Sequence, residues 1–383
     1  VRAATAYVVA RTGGPVTVLH ERLDIETDPA VRASLLLALG ELDPEQASAR
    51  FPFTGTADER YAAGLAAVRA GVPLPVGATT ALSTAVDEGV ELHYAWAQGE
   101  PVDELLASAT DETAADLVGT LILSPEPDTR RAAVFAVSER SMRRRSAPAS
   151  LVPQIARLVE DPDPGVRDEV ISTLRTTGAI AGRYRDHLVK VATGHAAATG
   201  RSRITTASQA WEALQRLGDP RWVELAPGAF IREPRWVPYT PEVLDAVRRH
   251  LPAHHHLAQL PAIWGPRAAA AVPDLIALIP QTGALAAGAL ARIGHAGPEA
   301  LPHLRPLAAD GDLDAAAAIR RVTGDPEPLL AALAGWFEPP ASAAVDYGLA
   351  GRQAAHRDPW MITGVPLLDP GPDLMPAVPA ARG

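Results

Sequence analysis

Four histidines crowd one short stretch of the chain: His250, His254, His255 and His256. His250 and His254 stand at i and i+4, a spacing that lets two imidazoles on one continuous helix meet a single metal ion. Pro252 lies between them, and a proline inside a helix removes a backbone donor and clashes with the preceding turn. No carboxylate motif accompanies the histidines. The pattern therefore predicts two helices separated at Pro252, with solvated imidazoles at a helix start and no metal held. A basic run, Arg140 followed by Arg143, Arg144 and Arg145, reads as a solvated loop between helices that could dock a phosphate or an acidic partner. Two Arg–Trp pairs, Arg221-Trp222 and Arg235-Trp236, could stack on a base. There is no cysteine, which removes thiolate nucleophiles, disulfides and thiolate-bound zinc. The chain has no glycine-rich phosphate loop, serine nucleophile elbow or His-Glu-x-x-His pair. No catalytic residue and no cofactor is expected.

The elements that would carry these side chains are helical. Apolar residues reach 47% but aromatics only 5%, and alanine and leucine dominate, which suits close-packed helices better than sheets. A chain of 383 residues exceeds the roughly 250–300 residues that one core supports, so it must be several domains or a repeat array. The internal comparison favours an array. Val1-Arg2, Val31-Arg32 and Val166-Arg167 each stand twelve positions before Gly13, Asp43 and Gly178. Asp28-Pro29 and Asp163-Pro164 precede two of these pairs, and Asp followed by Pro is a strong helix start. Val31, Leu35 and Leu39 then share one helical face, as do Val166, Val170 and Leu174. Partner helices are legible at Val152, Ile155, Ala156 and Val159, at Leu301, Leu304 and Leu307, and at Val272, Leu275, Ile276 and Ile279, the last ending at Pro280. Gly265, Gly294 and Gly324 set a step of 29 and then 30 residues. A hairpin of that size cannot bury its own apolar face, whereas stacked neighbours can.

Asp28-Pro29-Ala30-Val31-Arg32 and Asp163-Pro164-Gly165-Val166-Arg167 resemble the Asp-Pro-x-Val-Arg signature of HEAT repeats, and Gly265 through Gly294 resembles the short bacterial HEAT-like subtype of phycobilisome-lyase-type proteins. The resemblance implies an all-α, right-handed α-solenoid of HEAT-like helical hairpins. It further implies pairing of the signature Asp and Arg residues between adjacent repeats, here Asp28, Arg32, Asp163 and Arg167. The expected organisation is N-terminal repeats over 1–50, degenerate helical repeats over 51–124, repeats over 125–220, an irregular Trp- and His-containing segment over 221–259, C-terminal repeats over 260–340 and a Pro-rich tail over 341–383. Val1-Arg2 aligns with the middle of a repeat, so we expect either residues upstream of Val1 or a valine written for a GTG start codon. Missing residues would leave an apolar face near Val1, Val8 and Val9.

Activities known in such repeats find little support. His20-Glu21 is a single pair where the HEAT-type metal hydroxylases use several, no chromophore-handling motif is recognisable, and the glycosylase-like reading rests on the Arg–Trp pairs alone. The net charge of −10 opposes binding to nucleic acid or an anionic membrane. No apolar run of about 18 residues and no signal peptide is read in the chain, which leads to an expected cytoplasmic location. The expected function is a protein–protein scaffold without catalysis; the alternative is a HEAT-like enzyme acting on nucleic acid, or a metal-dependent or lyase-type one. Trp222, Trp236, Tyr239 and Trp264, clustered where the period is disturbed, are the expected protein-binding surface.

Overall fold

The computed structural model describes residues 1–45, 53–93, 95–96, 99–194, 206–225, 237–294 and 296–337. Every regular element among them is helical, so the protein is all-α. It divides into two compact units, Val1–Leu217 and Gly218–Gly383.

The described helices of the first unit are α1 (Arg2–Thr12), α2 (Val16–Ile25), α3 (Pro29–Leu42), α4 (Ala57–Arg69), α5 (Ala78–Glu88), α6 (Pro101–Ser108), α7 (Asp111–Leu121), α8 (Pro127–Arg143), α9 (Ala147–Ile155), α10 (Pro164–Thr176), α11 (Arg185–Gly194) and α12 (Thr206–Arg216). Their starts obey the capping logic of the sequence. Asp28 accepts from the N–H groups of Ala30 and Val31, and Asp163 accepts from that of Val166. Thr56 and Glu59 close a full capping box on α4. α1 ends on Gly13 at φ 67°, a left-handed position that a side chain would strain.

Packing sorts these helices into two rows. In one, α1, α3, α4, α6, α8, α10 and α12 each touch the next. In the other, α5 packs on α7 and α7 on α9, and neighbouring members of the two rows form hairpins. α3 and α4 approach closely, since a Cβ built on Gly40 would lie 2.5 Å from the Ala66 Cβ. Along this seam every residue from Ala33 to Gly40 and from Tyr61 to Val68 is buried. Trp96, from the α5–α6 connection, stacks edge-on against Tyr7 of α1 with ring centroids 5.0 Å apart, and is itself only 2% exposed. α3 and α4 are thus covered on all sides.

A recurring arginine braces successive hairpins. Arg32, Arg60, Arg130 and Arg167 each occupy the fourth position of their helix. Each turns Nη1 back onto carbonyls just before its helix, in the preceding loop or the end of the preceding helix: Leu23 and Glu26 for Arg32, Gly55 for Arg60, Ser124 and Pro125 for Arg130, Asp161 and Pro162 for Arg167. In Arg32, Arg60 and Arg130 the rest of the guanidinium reaches forward to a carboxylate one hairpin on. Arg32 meets Glu59 at 2.5 Å, Arg60 meets Glu88 at 2.5 Å, and Arg130 grips Asp161 with two bonds of 2.8 Å. Arg2 does the same with Glu26 at 3.0 Å. At α6 the charges reverse, Glu104 taking the fourth position and accepting from Arg69. Of the signature residues, Asp28 takes up an inter-repeat pairing, with Arg2, whereas Arg32 and Arg167 turn to other partners. Asp28 and Asp163 are helix caps, with Arg2 3.6 Å from Asp28, while Arg32 bridges to Glu59.

The second unit contains α13 (Arg221–Leu225), α14 (Pro241–His250), α15 (Gln259–Trp264), α16 (Val272–Thr282), α17 (Ala284–Ile293), α18 (Leu301–Ala309), α19 (Leu313–Thr323) and α20 (Glu327–Phe337). Here α15 packs on α17 and α17 on α19, and beside them α16 touches α18 and α18 touches α20. α16 does not stop at Pro280 as expected; it continues to Thr282 and breaks at Gly283, φ 48°. A proline in the last turns forfeits one backbone bond, and the left-handed glycine supplies the actual stop. Residues His255–Thr282 are apolar and long enough to cross a membrane by composition, contrary to the expectation of no such run. They are not one rod: Gly265, at φ 58° and ψ −135°, separates α15 from the following 3-10 turn.

Candidate interaction surface

The residues that could do chemistry are distributed as follows. α14 ends at His250, and His255 opens a short 3-10 turn, so the helices on either side of Pro252 are indeed separate. The rings of His250 and His254 nonetheless stack at 6.4 Å, and those of His254 and His256 lie 5.8 Å apart. Burial, followed by the neighbouring His254 and His255, lowers the His256 pKa from its ordinary value. Among the described residues, no group of three or more histidines and carboxylates has the geometry to hold a metal ion. His20 lies 3.3 Å from Asp43.

Only part of the basic run is a loop: Arg144 and Arg145 are exposed in the turn between α8 and α9. Arg140 and Arg143 belong to α8, and Arg140 is buried, donating to the carbonyls of Leu106 and Ala109 and to Asp111 at 2.7 Å. Those bonds, first from Arg140 and then from Ser146, hold the Asp111 carboxyl below its ordinary pKa. Arg140 is a structural brace between hairpins, with Arg143 bound to Glu139 at 3.0 Å.

The tryptophan surface also needs correction. Trp222 is 0% exposed, packed on the short helix α13. Trp264 is buried too, its indole N–H donating to the Val237 carbonyl at 2.9 Å and its ring set edge-on to Tyr239 at 5.7 Å. Tyr239 is half-exposed, and Trp236 lies outside the described residues. Indole is the largest apolar body available to an alanine-rich core, so its transfer from water outweighs its use as a surface anchor. With Trp222 buried, the Arg221-Trp222 pair cannot offer a stacking platform to a base.

A different surface is open. Among the described residues α8 is flanked by α6 and α10 and backed by α5, α7 and α9, which leaves one side exposed. Asp128, Arg131, Phe135 and Met142 line that side, all exposed, at the spacing of one helical stripe. Phe135 is 45% exposed and Met142 64%, whereas Ala133, Val134, Ala136 and Val137 on either side of Phe135 are buried. On the next helix, α10, the corresponding stripe carries Gly165, Asp168, Glu169, Ser172 and Thr176, each half-buried or exposed. The stripes adjoin, since a Cβ on Gly165 would lie 3.6 Å from the Arg131 Nη1. Glu169 is the unusual member. Among the described residues its carboxyl draws on no hydrogen bond, and burial, against the attraction of Arg131, pushes its pKa above the ordinary value. Asp168 accepts from the Thr206 hydroxyl at 2.5 Å. Sequence reasoning missed this surface because Phe135 sits in the unbroken apolar run Ala132–Val137, where helical phase alone hides which side chain faces out.

No protein-family model matches this chain, and no curated protein matches it.

Proposed function

We propose that the protein is a right-handed α-solenoid of HEAT-like hairpins that works in the cytoplasm as a non-catalytic scaffold, binding another protein along the free side of the α6–α8–α10 row. The observation that carries this reading is the α8 stripe, where an aromatic and a methionine stand in solvent on a helix whose other three sides are packed. Exposed aromatic and methionine side chains on a rigid platform are typical of protein-binding surfaces, since they bury much apolar area with little conformational entropy lost. Two rows of helices joined hairpin to hairpin supply such a platform, each unit held by its neighbours. The acidic net charge supports a protein over a nucleic acid as the ligand.

Affinity capture of the full chain from its native cell, with nuclease present, tests the proposal. One or two stoichiometric protein partners are expected to survive. Recovery of nucleic acid alone, or turnover of a small molecule by the bare protein, would sink it.

A further inference from the structure

Resting on that reading, we infer that the partner segment is cationic and amphipathic, seating two apolar side chains on Phe135 and Met142 and a lysine or arginine against Asp168 and Glu169. The spacing comes from the platform. Phe135 and Met142 are seven residues apart on one helix, hence about 10 Å at a rise of ~1.5 Å per residue, which two side chains of one peptide can span.

The sign of the partner comes from the charges that remain uncommitted. Arg131 is tied to Asp128 at 2.9 Å, and Arg143 to Glu139 at 3.0 Å. Among the described residues Asp168 receives only a hydroxyl, from Thr206, and the Glu169 carboxyl has no hydrogen bond. On the α10 side of the stripe, away from the exposed Arg144 and Arg145 past Met142, the surplus charge is therefore negative. Glu169 strengthens the case, because a carboxyl already stripped of some of its water makes its attraction to an arriving cation at a reduced further desolvation cost. Phe135, exposed on the same face, can also receive a guanidinium or ammonium over its ring. α3 and α4 offer no such site, being covered on all sides, so the open stretch of the row begins beyond them.

The test uses the full-length chain and a fluorescein-labelled peptide of about fifteen residues built from lysine and leucine, with leucines at i and i+7, beside a counterpart in which every lysine is glutamate. Binding is read by anisotropy near physiological salt. The Lys/Leu peptide is expected to bind. Phe135→Ser should weaken it about tenfold, and Glu169→Gln roughly three- to tenfold, the loss expected for a central aromatic and a half-buried charge contact. Glu160→Gln, in the exposed Glu160–Lys190 pair, should change nothing. The Glu/Leu peptide should not bind. Equal affinity across the three variants would show diffuse attraction to an acidic protein and overturn the site, as would equal binding of the Glu/Leu peptide. Glu169→Gln preserves shape, so the test survives if Phe135→Ser perturbs folding. Cellular partners retained by both variants would refute this surface and leave the scaffold intact, whereas no protein partner at all would refute the scaffold.

Discussion

Replacing Asp161 with alanine should be among the most damaging single changes that leave every apolar contact in place. Asp161 takes two bonds of 2.8 Å from Arg130 and one of 2.9 Å from the Asp163 N–H, with its side chain 3% and that of Arg130 10% exposed. Burial raises the Asp161 pKa, but the Arg130 bonds and the Asp163 N–H more than offset it, and the carboxyl stays below its ordinary range. Alanine would strand the guanidinium with only the Ser124 and Pro125 carbonyls. Breaking one side of a buried pair costs about 3–5 kcal/mol; the two surviving carbonyl bonds place the expected loss near the lower end, roughly 3 kcal/mol. Urea unfolding followed by circular dichroism reads the change, and hydrogen exchange should locate it in α8 and α10, since damage in an array falls first on adjoining units. A cycle with Arg130→Met should return a coupling of about 2 kcal/mol, because the double variant leaves no buried charge. The exposed pair Lys190–Glu160, at 3.3 Å, serves as the control and should cost less than about 1 kcal/mol when broken. A loss below about 1 kcal/mol for Asp161→Ala, or a coupling near zero, would refute the idea that these arginines brace the hairpins.

Three further outcomes are expected. Trp222→Ala should cost about 3–5 kcal/mol by urea titration; unchanged stability would mean that the ring is not core. Gly294 closes α17 at φ 73°, so Gly294→Ala should lower stability by about 1–2 kcal/mol through left-handed strain, and an unchanged urea midpoint would contradict that backbone geometry. His256 and His187 both have depressed pKa values, chiefly from burial, so their neutral forms favour the folded chain. Their contribution is complete above the ordinary value of 6.5 and is lost as pH falls through it, where the unfolded chain takes up protons first. The urea midpoint should therefore drop between pH 7.5 and 5.5, and drop less in a His187→Gln, His256→Gln double variant; identical pH slopes would rule the two histidines out.

What could be read from the chain was whatever is decided within one turn of backbone. Asp28 and Asp163 cap their helices because Asp followed by Pro satisfies local N–H groups, and Gly13, Gly294 and Gly324 stop theirs because only glycine takes the left-handed turn without strain. What depends on the neighbouring hairpin was not legible. Arg32 is visible within a motif, but that it would choose Glu59 over an aspartate depends on how far α4 stacks from α3. Trp222, expected at the surface, is buried for the same reason, while Phe135 stands in solvent. Side-chain type indicates what can be buried, while exposure is settled by which face the next helix leaves open. The open face beside α8, and the carboxyl of Glu169 set into it, belong wholly to that second category.

The arginine braces carry a consequence for how such a chain can change over generations. Arg2 to Glu26, Arg32 to Glu59, Arg60 to Glu88 and Arg130 to Asp161 span 24, 27, 28 and 31 residues. A contact that forms equally across 24 or 31 residues is indifferent to the length of the hairpin it encloses. Insertions and deletions can therefore accumulate in the connecting turns while each arginine still finds its acid. Duplicated hairpins carry both halves of the clasp with them, one for each neighbour, so copies can be added or lost without redesigning a joint. Recognisable repeat spacing would erode in such a lineage well before the joinery that keeps its hairpins together.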